Sequence, residues 1–212
     1  MTIDREKVLS LFEGFDFTNF TDEKVDELVA FLLLKNFNNF NYDFGISKLV
    51  IIPEKTDFVI KIPFMGTDII PCYHNSEAKE RKWDYCETEM ERFFLVKETP
   101  FKDSFAEIIL LGFANNYPIY VQEKCRTHSK EDNIFFRQDR LIFIKKYLSE
   151  TVSFNDCIDW LKNYLDFFGE EQLKNFMFFL EKNEWDDDLY EDNVGYIGER
   201  PVIIDYSGFR EM

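Results

Sequence analysis

Two apolar runs joined by a short turn constrain this chain more than anything else in it. Lys48-Leu49-Val50-Ile51-Ile52 and Phe58-Val59-Ile60-Lys61-Ile62 are rich in β-branched residues, and Pro53-Glu54-Lys55-Thr56-Asp57 between them is turn chemistry. The spacing predicts an antiparallel hairpin closed by Pro63. A lone hairpin is marginal in water, so further strands or a helix must cover it. Both follow. Asn75 or Ser76 can cap a charged helix running to residue 97, with Trp83, Met90 and Phe94 available to pack. Strands at 105–111 and 119–123 come next, and Asn115-Asn116-Tyr117-Pro118 turns between them. One basic residue, Lys61, interrupts the second apolar run; its long stem can snorkel from an edge strand, or its charge can serve a site.

The flanks read as helical. Before the hairpin, Val8, Leu11 and Phe12 form one apolar stripe. Val25, Leu28, Val29 and Leu32 form a second at helical spacing, with Thr21 as a candidate N-cap. The Asn-rich, aromatic stretch 36–45 breaks that period. After a charged loop near 127–133, helices are expected at 139–148, 153–168 and 170–182. Ser153 and Asp156 resemble a capping box for the second of these, and Gly169 ends it. There is no internal repeat and no long low-complexity linker. The expected boundaries are a helical extension at 1–36, a sheet-rich lobe at 37–125 and a helical lobe at 126–212.

Composition narrows the function classes. Apolar residues make up 45% of the chain and include 25 Phe, enough for a packed core, which excludes wholesale disorder. Asp and Glu number 41 against 25 Lys and Arg, and the resulting net charge of -16 argues against general nucleic-acid binding. A nucleotide remains compatible, since magnesium bridges carboxylate and phosphate. No apolar run reaches the length of a membrane-spanning helix. Met1-Thr2-Ile3-Asp4-Arg5-Glu6 lacks the basic flank and apolar core of a signal peptide, so a cytoplasmic protein is expected. Cys72, Cys86, Cys125 and Cys157 are widely spaced and read as reduced thiols. Cys72 and His74 with Cys125 and His128 could supply four zinc ligands. The first spacing is unusual, however, and no Cys-x-x-Cys pair exists, so ordinary thiols and histidines explain them better.

The densest chemistry lies toward the C-terminal end. A helix leads into Trp185-Asp186-Asp187-Asp188-Leu189-Tyr190-Glu191-Asp192-Asn193. Then come Tyr196-Ile197, a Gly198-Glu199-Arg200 turn and the strand Pro201-Val202-Ile203-Ile204, which delivers Asp205-Tyr206-Ser207-Gly208. Asn193 and Asp205 thus flank a short hairpin. A carboxylate and an amide oxygen placed together suit magnesium, which completes its shell with water and phosphate oxygens. Asp188, five residues before Asn193, is placed to orient or accept the proton of a hydroxyl nucleophile.

These elements resemble the protein-kinase-like superfamily. Its catalytic loop sets an Asp five residues before a metal-binding Asn, followed by the metal-binding Asp of Asp-Phe-Gly. Val59-Ile60-Lys61 is similar to that family's Val-Ala-Ile-Lys strand. Tyr85-Cys86-Glu87-Thr88-Glu89-Met90-Glu91 is similar to the helix carrying the lysine's glutamate partner, and Val121-Gln122-Glu123-Lys124-Cys125 looks like the last sheet strand and hinge. The likeness spans roughly residues 42 to 209, and its weight comes from five elements in the right order. It implies an α+β, bilobal fold: an antiparallel sheet with one helix, then a much reduced helical lobe. It also implies roles. Lys61 would hold the phosphates of ATP, and Glu89, with Glu87 as second choice, would orient Lys61. Asn193 and Asp205 would bind Mg2+, Asp188 would be the catalytic base, and the backbone between Glu123 and Cys125 would meet the adenine.

The departures shape the choice of function. Asp186-Asp187 stand where the family has His-Arg. No Gly-x-Gly-x-x-Gly loop precedes the hairpin, only Gly45-Ile46-Ser47-Lys48, which leaves Ser47 and Lys48 as the candidates to touch phosphate there. No activation segment or Ala-Pro-Glu follows Gly208 in this sequence, and the helices at 1–36 are expected to replace part of that support. One reading is a phosphotransferase of bacterial or bacteriophage type acting on a protein, a small molecule or itself. Another is an inactive kinase-like protein, a pseudokinase of a phage or mobile element that modulates a host or defence protein. A third is an acidic inhibitor mimicking nucleic acid.

Overall fold

The computed structural model describes residues 2–45, 47–64, 84–127, 140–151, 153–156, 158–183, 185 and 193–206. The chain divides into two compact units. The first comprises Met1–Met90 and Ile108–Glu123, the second Glu91–Glu107 and Lys124–Met212.

In the first unit, helices α1 (Arg5–Ser10) and α2 (Val25–Leu34) precede strands β1 (Phe40–Phe44), β2 (Lys48–Pro53) and β3 (Phe58–Pro63). The start of α3 (Tyr85–Val96) follows, then β4 (Ile108–Ala114) and β5 (Tyr117–Glu123). The strands form one antiparallel sheet in the order β1-β2-β3-β5-β4. The expected hairpin is thus β2–β3. The later pair of strands is shifted toward a tight turn, with Asn115 and Asn116 both at positive φ. Asparagine tolerates that conformation, and a two-residue turn of this kind matches strand twist. The edge strand β1 was not foreseen. Its aromatic alternation, largely exposed, pairs Phe40 with Pro53 and Phe44 with Leu49.

Alternation along the strands splits this sheet into two faces. Leu49, Ile51, Ile60, Ile62, Ile119 and Val121 all point to one of them. They share a core with Phe12, Phe15, Phe17, Phe20, Leu28 and Leu32 from the N-terminal segment. Phe17 stacks on Tyr117 at 4.5 Å between ring centroids, and Asn115 Nδ2 donates to the Phe15 carbonyl at 2.7 Å. Residues 1–36 cover the sheet, because six buried branched side chains on that face need an apolar lid. The N-cap expected at Thr21 is also shifted: Thr21 precedes a short 3-10 turn, Asp22–Lys24, and makes no side-chain capping bond.

The second unit contains the end of α3, helices α4 (Arg140–Leu148), α5 (Asp159–Phe168) and α6 (Glu170–Lys182), and the hairpin β6 (Val194–Ile197)–β7 (Arg200–Ile203). Trp160, Leu161 and Tyr164 of α5 are buried, as are Leu173, Phe176 and Leu180 of α6 and Phe105, Val202 and Ile203. The Ser104 and Tyr164 hydroxyls lie 2.8 Å apart, and Ala106 N–H donates to the Ile203 carbonyl at 2.9 Å. α5 begins at Asp159, later than expected. Ser153 Oγ instead donates to Asp156 Oδ2 at 2.6 Å across a short 3-10 turn, and Ile158 is extended. Gly169, at φ +84°, ends the helix.

The architecture is therefore α+β, with an antiparallel sheet and helices in one unit and mainly helices in the other, as the resemblance implied. No helix among the described residues is long and apolar enough to cross a membrane.

Phe20 is fully buried where the N-terminal segment meets the sheet. Phe20→Ala is expected to cost about 3–5 kcal/mol, read as a lower urea midpoint with an unchanged slope. Phe113→Ala, at a site 60% exposed, should stay within about 0.5 kcal/mol of wild type.

Candidate functional site

The sheet's second face carries the charged groups. Lys48 pairs with Pro63 and Val50 with Lys61 in the β2–β3 register, so the two lysines are diagonal neighbours on this face. Both ammonium groups converge on one carboxylate of α3. Lys61 Nζ lies 2.6 Å from Glu89 Oε2, and Lys48 Nζ bonds Oε1. The Glu89 side chain is 0% exposed, those of Lys61 and Lys48 only 4% and 7%. Ion pairs withdrawn from water in this way are costly to break, unlike surface pairs.

The position of Glu89 follows from how α3 starts. Asp84 Oδ1 accepts from the backbone N–H of Cys86 at 2.9 Å and of Glu87 at 3.0 Å, capping the helix. Asp84 Oδ2 accepts from the Tyr120 hydroxyl at 2.7 Å, and Tyr120 stands opposite Lys61 in the β3–β5 register. One carboxylate thus caps the helix and ties it to β5. From that fixed start the 3.6-residue period turns Cys86 and Glu89 inward and leaves Glu87 exposed. The choice between the two glutamates therefore falls on Glu89. Burial, and then the Tyr120–Asp84 bond, pushes the Tyr120 hydroxyl far above the ordinary phenol range. Burial first, then the charge of Glu89, pushes the Cys86 thiol well up, with Lys48 and Lys61 partly offsetting it. Cys86 is a neutral packing residue here.

In the second unit, the β6–β7 hairpin sets Asn193 and Asp205 at one end. The Asn193 carbonyl accepts from Ile204 N–H at 2.8 Å and from Asp205 N–H at 3.5 Å. Asn193 is buried and Asp205 half-buried. The next residue is clamped: Tyr206 is fully buried, its hydroxyl donates to the Ala106 carbonyl at 2.9 Å, and its ring meets Phe105 edge-on at 5.3 Å. Arg92 Nη1 donates to the Tyr206 carbonyl. These bonds hold the backbone on which Asp205 stands. An amide and a carboxylate are hard-oxygen groups of the kind magnesium takes, with water and phosphate oxygens completing its shell. Among the described residues, no three or more His, Cys, Asp or Glu side chains cluster as a metal site.

The remaining candidates stand as follows. Ser47 precedes β2, and its carbonyl accepts from Phe64 N–H at 2.8 Å, closing the sheet end beside Lys48. Glu123 is the last residue of β5, half-buried. Cys125, in the second unit, is half-buried and followed by Arg126, which exchanges two 2.9 Å backbone bonds with Tyr196. A Cβ on Gly195 would lie 3.0 Å from the Arg126 carbonyl oxygen, so this close approach favours glycine. Asp188 lies outside the described residues, as do Cys72, His74 and His128 of the zinc alternative and Asn75 and Ser76, the expected caps of α3.

Sequence reasoning missed Asp84, Tyr120 and Arg92, and it gave Lys48 no partner on α3. Asp84 had a readable signal, an Asp placed just before a helical run. The others depend on long-range register.

No family model and no curated protein sequence matches the chain. Among solved structures, the chain is similar to APH(2")-IIa in its ternary complex with streptomycin and ATP. The identity is 11%, the match covers 90% of this chain and 72% of that one, and the TM-score is 0.31. At that likeness neither fold nor chemistry transfers to this chain by comparison.

Glu89→Ala would leave two buried ammonium groups without their shared carboxylate, and a loss of about 3–5 kcal/mol is expected in urea denaturation. Glu87→Ala should change stability by less than about 0.5 kcal/mol. In the folded protein at pH 8, Cys86 should alkylate far more slowly than Cys125, as followed by peptide mass spectrometry. Equal rates would contradict the buried, neutral thiol.

Proposed function

We propose that the protein is an ATP- and Mg2+-dependent phosphotransferase of the protein-kinase-like kind, acting on a hydroxyl acceptor. The observation that carries this reading is the buried pair between Lys61 of β3 and Glu89 of α3. A lysine held rigidly by a carboxylate inside a sheet is poorly explained as surface charge, because burying it costs more than a solvated lysine would. The pair is well suited to present a fixed ammonium to phosphate oxygens. The hard-oxygen set at the Asn193/Asp205 hairpin end supports the same reading.

In this reading Lys61 binds the α- and β-phosphates, Glu89 orients it, and the backbone between Glu123 and Cys125 meets the adenine. Asn193 and Asp205 hold Mg2+, which when bound neutralises charge on the phosphate oxygens. Asp188 orients the acceptor hydroxyl. The hydroxyl oxygen attacks the γ-phosphorus, the bond to the β–γ bridging oxygen breaks, ADP leaves, and the hydroxyl proton passes to Asp188.

With millimolar Mg2+, ATP at about 100 times its Kd should stabilise the fold by about 2.7 kcal/mol, seen as a rise in Tm. Asp205→Ala should reduce that shift more than Asn193→Ala, since it removes a charged ligand and not a neutral one. Wild type that shows no shift would refute nucleotide binding. Asp188→Asn should retain ATP binding and lower transfer from γ-labelled ATP about 10²- to 10⁴-fold. ATP binding by wild type with no transfer, autophosphorylation included, would instead identify an inactive regulatory protein.

A further inference from the structure

Among the described residues, the two edges of the sheet are treated differently. At the β4 edge the ladder shifts register between Leu110 and Gly112, and Arg5 and Leu9 of α1 stand against Gly112. An irregular ladder and a covering helix both keep an edge from pairing with another chain. The other edge, β1, has no strand beyond it among the described residues. We infer that β1 pairs antiparallel with β1 of a second copy of this chain, joining the two sheets about a two-fold axis at Tyr42. This goes beyond the phosphotransferase reading and does not rest on it.

The backbone of β1 is directed for such a pairing. Gly45 N–H donates to the Lys48 carbonyl at 3.2 Å, and Glu54 N–H to the Asn39 carbonyl at 3.0 Å. The odd-numbered residues therefore turn their backbone groups to β2, while Phe40, Tyr42 and Phe44 turn theirs outward. Phe44 N–H is met by its neighbour's carboxylate, Asp43 Oδ1, at 2.9 Å.

The strand's own sequence selects a second copy as the occupant. Phe40-Asn41-Tyr42-Asp43-Phe44 reads nearly the same in both directions. Set antiparallel about Tyr42, it places Phe40 opposite Phe44, Tyr42 opposite Tyr42 and Asn41 opposite Asp43. Tyr42 of each copy then exchanges both backbone bonds with Tyr42 of the other, and Phe40 does so with Phe44. The aromatic side chains share one face, where Tyr42 is 41% and Phe44 47% exposed, and cross-strand aromatic pairs stabilise a sheet. On the other face each Asn41 amide meets the Asp43 carboxylate of the second copy. The neighbouring register, centred on Asp43, would oppose two carboxylates and is disfavoured. A two-fold contact of this kind closes on itself, so it ends at a dimer and not a fibre.

One pair of five-residue strands makes a small interface, and those below about 1,200 Å² are transient. Each copy also carries a net charge of -16, which opposes association until salt screens it. The expected species is a reversible dimer that tightens as ionic strength rises.

Sedimentation equilibrium of the full chain tests this. Wild type should dimerise at concentrations up to about 200 µM, more tightly in about 0.5 M than in about 0.02 M NaCl. Tyr42→Pro removes an outward N–H and leaves the bonds to β2 in place, so it should fold, as checked by Tm, and stay monomeric. Asn41→Asp opposes two carboxylates at both symmetric positions and should lower the association constant about two- to thirtyfold, whereas Asn41→Lys should raise it by a similar factor. Both are measured at the higher salt, where overall charge is screened. The exchange of Asn41→Asp with Asp43→Asn keeps the pairs and the net charge, and should dimerise like wild type. Wild type that is monomeric throughout overturns the inference and leaves the β1 edge to a strand of another protein. A dimer that persists in folded Tyr42→Pro, or that responds alike to Asn41→Asp and Asn41→Lys, has its contact elsewhere and overturns it as well.

Discussion

The first unit is organised around a single buried carboxylate. Glu89 lies on the polar face of the sheet, with Lys61 on one oxygen and Lys48 on the other. Three charges without water are tolerated only when their partners are fixed, and each neighbouring feature contributes to fixing them. The β2–β3 register sets the spacing of the lysines. The β3–β5 register brings Tyr120 beside Lys61, where its hydroxyl reaches Asp84. Asp84 caps α3 and so sets the rotation of the helix, which turns Glu89 inward. A one-residue slip of β3 would send Lys61 to the apolar face, against Leu49 and Ile51 of β2, and a slip of β5 would turn Tyr120 away from Asp84.

The opposite face explains why the polar arrangement is rigid. The N-terminal segment packs Phe12, Phe15, Phe17 and Phe20 against the branched residues of β2, β3 and β5. Aromatic rings in edge and stacked contact make that lid dense. The sheet is thus held from behind while charged groups meet in front. In the second unit a comparable division of labour surrounds Asp205. Asp205 itself is half-buried, while its neighbour Tyr206 is bonded at both its hydroxyl and its carbonyl.

Much of this was legible in the chain itself. The β2–β3 hairpin is readable because β-branched runs flank a turn rich in polar residues. Lys61 draws notice because nothing in an apolar strand requires it. Gly169 announces the end of α5, and the hairpin between Asn193 and Asp205 follows from its Gly-Glu-Arg turn. What was not legible depends on contacts distant in sequence. Lys48 reads as an ordinary strand-end lysine until the register sets it diagonal to Lys61. Tyr120 and Asp84 are 36 residues apart, and no local pattern links them. The N-terminal helices were amphipathic on inspection, but periodicity cannot say which surface an apolar stripe will cover. Ser153 misled because a hydroxyl and a carboxylate three residues apart satisfy each other as readily as they cap a helix.

The strand order has a consequence for how the chain is made. β5 is the last strand of the sheet to be synthesised, yet it sits between β3 and β4. Until residue 123 has left the ribosome, β3 presents an open hydrogen-bonding edge flanked by Ile60 and Ile62, and the lid formed by residues 1–36 has only part of its floor. A nascent chain paused before that point exposes an adhesive strand that has no native partner yet. Slow decoding between β3 and β5 would therefore lower the yield of folded protein, without altering any residue of the finished molecule.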